Sequence, residues 1–148
     1  MLAVTDAKKR GFDEAILLNE DGNISEGSGQ NIFLIKNGEL YTNDEKSSIL
    51  LGITRETIIQ LCQELDIEIV IKDISTDDLF NADEAFFTGT ASEVTPIISI
   101  DDKKIAEGNV GGITSKLKNL YIDIILAKSD VHFSWLTFLR KTKIKCNE

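Results

Sequence analysis

Three short runs hold the residues that could do chemistry. In the first, Ile24-Ser25-Glu26-Gly27-Ser28-Gly29-Gln30-Asn31, one carboxylate stands beside two glycines. A carboxylate held in a tight Gly-rich turn can meet a buried cation or a protonated ring nitrogen. The second run, Leu51-Gly52-Ile53-Thr54-Arg55, precedes a helical pattern. Helix starts carry unpaired N–H groups and the positive end of the macrodipole, which together suit an anion such as phosphate. Gly52 would let backbone come close to that anion. Thr54 reads equally as a helix N-cap, and one hydroxyl can both cap and ligate. The third run, Phe87-Thr88-Gly89-Thr90-Ala91-Ser92-Glu93-Val94-Thr95-Pro96, sets Gly89-Thr90-Ala91 between two strand-like stretches, where N–H groups stay open to an anion.

Other reactive residue types carry less. His132 is the only histidine, and a surface or packing role suits it better than catalysis. Cys62 falls in a helical pattern and reads as a small core residue, and Cys146 lies near the end of the chain. Neither has His or Cys neighbours at metal-ligand spacing, so no metal site is expected. Two free thiols in a reducing cytoplasm are the expectation. Arg55 reads as structural. Tyr41 and Tyr121 have no sequence neighbours that suggest acid–base work.

The elements that must position these runs alternate in type. Positions 3–10 look like the tail of a helix closed by Gly11. A strand over 14–18 leads into the turn Asn19-Glu20-Asp21-Gly22-Asn23. Strands over 31–36 and 39–42 flank Asn37-Gly38, a strong hairpin signal. Positions 54–65 form a helix with Ile58, Leu61, Cys62 and Leu65 on one face. A strand over 67–71 is followed by a short helix over 75–79, with Ser75 and Asp78 in capping-box spacing. Strands over 84–88 and 94–100 lie on either side of Gly89-Thr90-Ala91, and Asp101-Asp102 makes the next turn. The last helix, over 114–128, carries Leu117, Leu120, Tyr121, Ile124 and Ile125 as its apolar stripe. Hairpins mixed with strand–helix units predict an α+β fold on a mixed sheet rather than a doubly wound parallel sheet.

At 148 residues the chain is one domain's worth, enough to bury a real core. A net charge of -9 lacks the basic face that sequence-independent nucleic-acid binding needs. No apolar run is long enough to cross a membrane. After Ser129 the character changes: 131–139 is apolar and aromatic, and 140–145 is basic. The expected division is therefore a globular unit over 1–129 and a tail over 130–148.

In their order and spacing, the three runs resemble the C-terminal large domain of class IV (fold type IV) aminotransferases, and most of all the branched-chain amino acid aminotransferases. The resemblance covers about Leu2 to Lys128. It implies an α+β mixed-sheet pseudobarrel with flanking helices, and pyridoxal phosphate as cofactor. It gives Glu26 the cofactor's ring nitrogen, because a carboxylate there keeps that nitrogen protonated. Ile53, Thr54 and Thr90 are implied as phosphate ligands. Thr90 and Ala91 are implied as binders of the substrate carboxylate, with Gly89 as backbone support. Leu51 departs from the family, which usually has Pro there. The implied activity is transamination of leucine, isoleucine or valine with 2-oxoglutarate, so small amino acids and 2-oxo acids are the expected partners.

No catalytic residue is expected within the chain. The family's Schiff-base lysine lies upstream of the helix whose tail opens this sequence, and Lys8 and Lys9 do not match it by motif. The family's phosphate-binding arginine also belongs to the N-terminal half. A longer or split enzyme, or association with a separate N-terminal half, is therefore expected, and self-association suits the family. Two other readings stand beside this one. D-amino acid aminotransferases and aminodeoxychorismate lyases share the fold. A truncated remnant would only associate with other chains.

Overall fold

The structure is a computed structural model that describes residues 2–128 and 130–138. Its elements run α1 (Leu2–Lys9), β1 (Ile16–Leu18), β2 (Ile24–Gly27), β3 (Asn31–Lys36), β4 (Glu39–Thr42), α2 (Ile53–Glu64) and β5 (Ile69–Ile71). Then follow α3 (Thr76–Phe80), β6 (Glu84–Gly89), β7 (Glu93–Ile97), β8 (Ser99–Ile100), β9 (Lys103–Lys104) and α4 (Gly112–Ile125). The chain makes a mixed α+β fold, as expected.

The five-stranded sheet has the order β5-β4-β3-β6-β7. Its nucleus is local. Asn37 and Gly38 both take positive φ, 52° and 84°, which is what a two-residue hairpin turn demands. β3 thereby pairs antiparallel with β4, with Lys36 opposite Glu39. β6 adds antiparallel on the other side of β3, and β7 on β6. Only β5 is parallel, to β4, because α2 carries the chain back across the sheet between them.

Period-two alternation sorts the side chains into two cores. Phe33, Ile35, Leu40, Phe86 and Val94 face α2 and α4, where they meet Ile58, Leu61, Cys62, Leu117 and Ile124. Phe33 and Phe86 are register partners and stack with ring centroids 5.0 Å apart. Ile32, Leu34, Ala85, Phe87 and Ile97 face the other way, onto Ile24, Ile74, Leu79 and Ile105. β2 folds over this second face and bridges to Ile74, giving the pseudobarrel its interior.

Boundaries differ in a few places. The strand expected over 94–100 breaks at Ile98: β7 ends at Ile97, and β8 pairs instead with β9 across Asp101. β7 is a sheet edge holding Pro96, which cannot extend a ladder outward because it has no N–H. The last helix begins at Gly112, two residues early, because Glu84 caps it from β6. α3 has the expected capping box, with Asp78 N–H donating to Ser75 Oγ at 3.0 Å and Ser75 N–H to Asp78 Oδ2 at 2.9 Å. Gly11, at φ 89°, closes α1.

Of the expected tail, Asp130–Trp135 makes a 3₁₀ turn, and Trp135 and Leu136 pack against the helix-side core. Leu139, the basic stretch 140–145 and Cys146 lie outside the described residues. Among the described residues no helix is long and apolar enough to cross a membrane, and no acidic, His or Cys cluster could hold a metal.

Candidate functional site

Glu26 sits on β2 and not in the turn that follows. The turn is Ser28-Gly29-Gln30, closed by Gly27 N–H donating to Gln30 O at 2.7 Å. Glu14 braces it by accepting from Gln30 Nε2 at 2.7 Å. Burial works to raise the Glu14 pKa, but donors from Ala15, Ser28 and Gln30 outweigh it and hold the carboxyl below its ordinary value.

One oxygen of Glu26 is already committed. Its Oε2 accepts from Leu50 N–H at 3.0 Å and from Asn31 Nδ2 at 3.4 Å. Asn31 Nδ2 also donates to Leu50 O at 2.6 Å. The loop before α2 is thus tied to the carboxylate through two residues. Glu26 Oε1 has no partner among the described residues, so one acceptor is left for a donor outside the chain.

α2 begins at Ile53, with Gly52 as a cap that offers no side-chain bond. This corrects the reading of Thr54 as N-cap: it is the second helical residue, and its hydroxyl turns inward. Thr54 is 4% exposed, with Oγ1 3.4 Å from Tyr121 Oη on α4. The Ile53 side chain is 84% exposed, so its contribution to any site is its backbone N–H. The first N–H groups of α2 have no intrahelical acceptor. Gly52 is there for space: a Cβ on it would stand 2.6 Å from Asn31 Oδ1.

Thr90 and Ala91 lie in the exposed turn after β6. Gly89 is as crowded as Gly52, since a Cβ would stand 2.8 Å from Ser92 Oγ and 3.2 Å from Gly29 O. The turn is therefore packed against the loop that follows Glu26.

Glu26, Ile53, Thr54 and Thr90 all line one cavity of about 120 Å³, together with Asn31, Leu50 and Thr88. Ala91 is not among its lining residues. Three runs far apart in sequence thus meet at the end of the sheet, beside the start of α2. The cavity offers an acidic oxygen on one side and helix-start amides with hydroxyls on the other. Thr88 is 0% exposed and its Oγ1 has no partner. Thr114 Oγ1, in the first turn of α4, is buried and unpaired in the same way, but of the two only Thr88 lines this cavity.

Arg55, Cys62, His132 and Tyr41 do not line this cavity. Arg55 is buried and donates to Asn43 O at 2.8 Å, and burial lowers its pKa. Burial pushes the Cys62 thiol up to about 12. His132 pairs with Glu64 at 2.7 Å and packs on Trp135. Tyr41 bonds Glu39 away from the cavity. A larger cavity of about 870 Å³ lies between α1, β1 and β7–β8, and Gln30 lines both spaces.

The sequence reading gives Asn31, Leu50 and Thr88 no role of their own in the site, and gives Tyr121 only a place in the apolar stripe of the last helix. Alternation could have found two of them. Asn31 and Thr88 share the inward register of Phe33 and Phe86, so each is a polar residue in an apolar row. Leu50 acts through its backbone, which leaves no mark on residue type.

The family model for amino-transferase class IV matches residues 1–100. The branched-chain-amino-acid aminotransferase of Pseudomonas aeruginosa is 46% identical over 140 residues, covering 95% of this chain and 45% of the relative. A probable branched-chain-amino-acid aminotransferase of Aquifex aeolicus is 47% identical, over 92% of this chain and 44% of its own length. Among solved structures, the branched-chain aminotransferase from Thermoproteus uzoniensis with norvaline superposes with a TM-score of 0.88 at 46% identity. That match covers 92% of this chain and 45% of the other. The branched-chain amino acid aminotransferase from Thermobaculum terrenum, in its PLP-bound holo form, also gives 0.88, at 38% identity over 92% of this chain and 45% of that one. The chain spans about half the length of the relatives it matches, and it belongs to the class IV aminotransferases.

Proposed function

We propose that this chain is the cofactor-cradling C-terminal part of a pyridoxal phosphate-dependent branched-chain amino acid aminotransferase, with residues 1–129 as the cradling unit. The observation that supports this best is the shared cavity of Glu26, Ile53, Thr54 and Thr90. The polar groups around it fit the cofactor's two ends. Glu26 Oε1 would hold the proton on the ring nitrogen, with Oε2 kept in place by Leu50 and Asn31. The N–H groups of Ile53 and Thr54, with the Thr54 and Thr90 hydroxyls, would take the phosphate. Thr90 and Ala91 N–H groups would receive the substrate carboxylate beyond the cavity's rim. When bound, the cofactor supplies an electron sink for bond changes at the substrate's α carbon. Gly52 and Gly89 keep the walls close by carrying no side chain.

The amino donors are leucine, isoleucine or valine, in keeping with the names of the relatives, and the acceptor is 2-oxoglutarate. The Schiff-base lysine and a further phosphate ligand would come from the rest of the enzyme, through association with it. A cytoplasmic setting fits the free thiol of Cys62.

The test is binding followed by reduction. Pyridoxal phosphate should bind saturably, and borohydride should not fix it stoichiometrically on any single lysine. Absence of saturable binding would refute the cradle, and a stoichiometric adduct at one lysine would refute the claim that the Schiff-base lysine lies outside this chain.

A further inference from the structure

Among the described residues, several buried side chains carry a polar atom without a partner, and Thr88 is one that also lines the cavity at the start of α2. It sits on β6 opposite Asn31 on β3 and Val94 on β7, so its side chain shares the helix-facing side with Phe86 and Val94. Its hydroxyl is sealed from solvent and has no hydrogen-bond partner, yet the residue lines the cavity at the start of α2. Burying a hydroxyl without a partner costs free energy that a valine of the same shape would not. A residue serving only to fill this corner would do better without the oxygen.

Nothing else at this corner uses it. Asn31, its register partner, spends its amide on Leu50 O and Glu26. Thr54 Oγ1 is matched with Tyr121 Oη. What remains is the space beside the N–H groups of Ile53 and Thr54, where the proposed function puts a phosphate. We infer that Thr88 is a further ligand of the phosphorylated molecule bound in this cavity, its hydroxyl donating to the anion from the sheet side while the α2 amides donate from the helix side. The inference rests on that functional reading and extends it: the anion is gripped between two elements rather than by a helix start alone. Hydrogen bonds to a charged group are among the strong ones, so its loss should be measurable.

Pyridoxine phosphate and pyridoxine are suitable probes, because neither carries an aldehyde that would react with surface lysines. Calorimetry on the wild-type chain, Thr88→Val and Thr88→Ser gives the comparison. Thr88→Val should weaken pyridoxine phosphate by about tenfold or more. It should leave pyridoxine unchanged, and the ligand-free variant should unfold at the same or a higher denaturant midpoint. Thr88→Ser should restore most of the affinity for the phosphorylated probe. Equal affinity of Thr88→Val and wild type for pyridoxine phosphate would overturn the inference and leave the functional reading standing. So would equal weakening of both probes, which would place the effect away from the phosphate. Failure of the wild-type chain to bind pyridoxine phosphate at all would overturn both.

Discussion

Glu26, Asn31 and Gly52 form the smallest unit on which the site depends. The amide of Asn31 and the backbone of Leu50 fix one carboxylate oxygen, and Gly52 must lack a side chain for Asn31 to stay where it is. Gly52→Ala should therefore destabilise the fold by about 1–3 kcal/mol, read as a lower urea midpoint. The backbone at Gly52 is extended, at φ -79°, so the effect would come from the collision and not from strain. Cys62 gives a pH prediction. Its thiol is raised from 9.0 to about 12 by burial, so the folded state keeps a proton that the unfolded state gives up. Stability should be level below pH 9 and fall from there towards pH 12, and thiol reagents should modify Cys62 only after unfolding. A Cys62 that reacts quickly in the native chain would contradict its place in the core. At this scale the three Gly-containing runs stand out in the sequence, and the family resemblance singles out Glu26, Ile53, Thr54 and Thr90 within them. A hydroxyl at a helix start reads as a cap from sequence, but Gly52 is the cap, and only packing shows Tyr121 across from Thr54.

Two elements meet through Glu84, which ties α4 to the sheet. Its carboxylate accepts from Ile113 N–H at 3.1 Å and Thr114 N–H at 2.7 Å, at the positive end of the helix. Glu84→Ala should cost about 1–3 kcal/mol by leaving those amides without an acceptor. Gly111→Ala should be similarly harmful, because its Cβ would fall 1.9 Å from the Glu84 carboxyl carbon. The two changes act on one contact, so the double variant should cost less than the sum in a double-mutant cycle. α3 is held by its capping box, and there the sign with pH is opposite to Cys62. Burial pushes the Asp78 pKa up, but bonds from Ser75 and Lys72 outweigh it and leave it lowered. That contribution is present above the ordinary carboxylate range and is lost as pH falls through the folded value. Local signals made most elements legible: Asn37-Gly38 for the hairpin, Ser75 with Asp78 for α3, Gly11 for the end of α1. The break at Ile98 and the early start of α4 were not legible, because an edge strand and a cap delivered from β6 are tertiary facts.

Across the whole molecule, the site lies where the two cores meet. β3 and β6 send alternate side chains to the helical face and to the pseudobarrel, and their ends present Asn31 and Thr88 beside the start of α2. Stability and binding thus share residues, and a ligand that fills the cavity should raise the unfolding midpoint by linkage. The convergence of three distant runs was legible only through family resemblance, since no local rule links Glu26 to Thr90. The chain spans about half of its relatives' length, so its own ligand binding is the property to examine first. The most direct measurement is a two-dimensional amide NMR titration of the full chain with pyridoxine phosphate. The expected result is saturable shifts centred on the amides of Ile53, Thr54 and Thr90, accompanied by Leu50, whose N–H is held by Glu26. Saturable shifts centred elsewhere with these four amides unmoved, or no saturable shifts at all, would contradict a single phosphorylated pyridine bound between Glu26 and the start of α2.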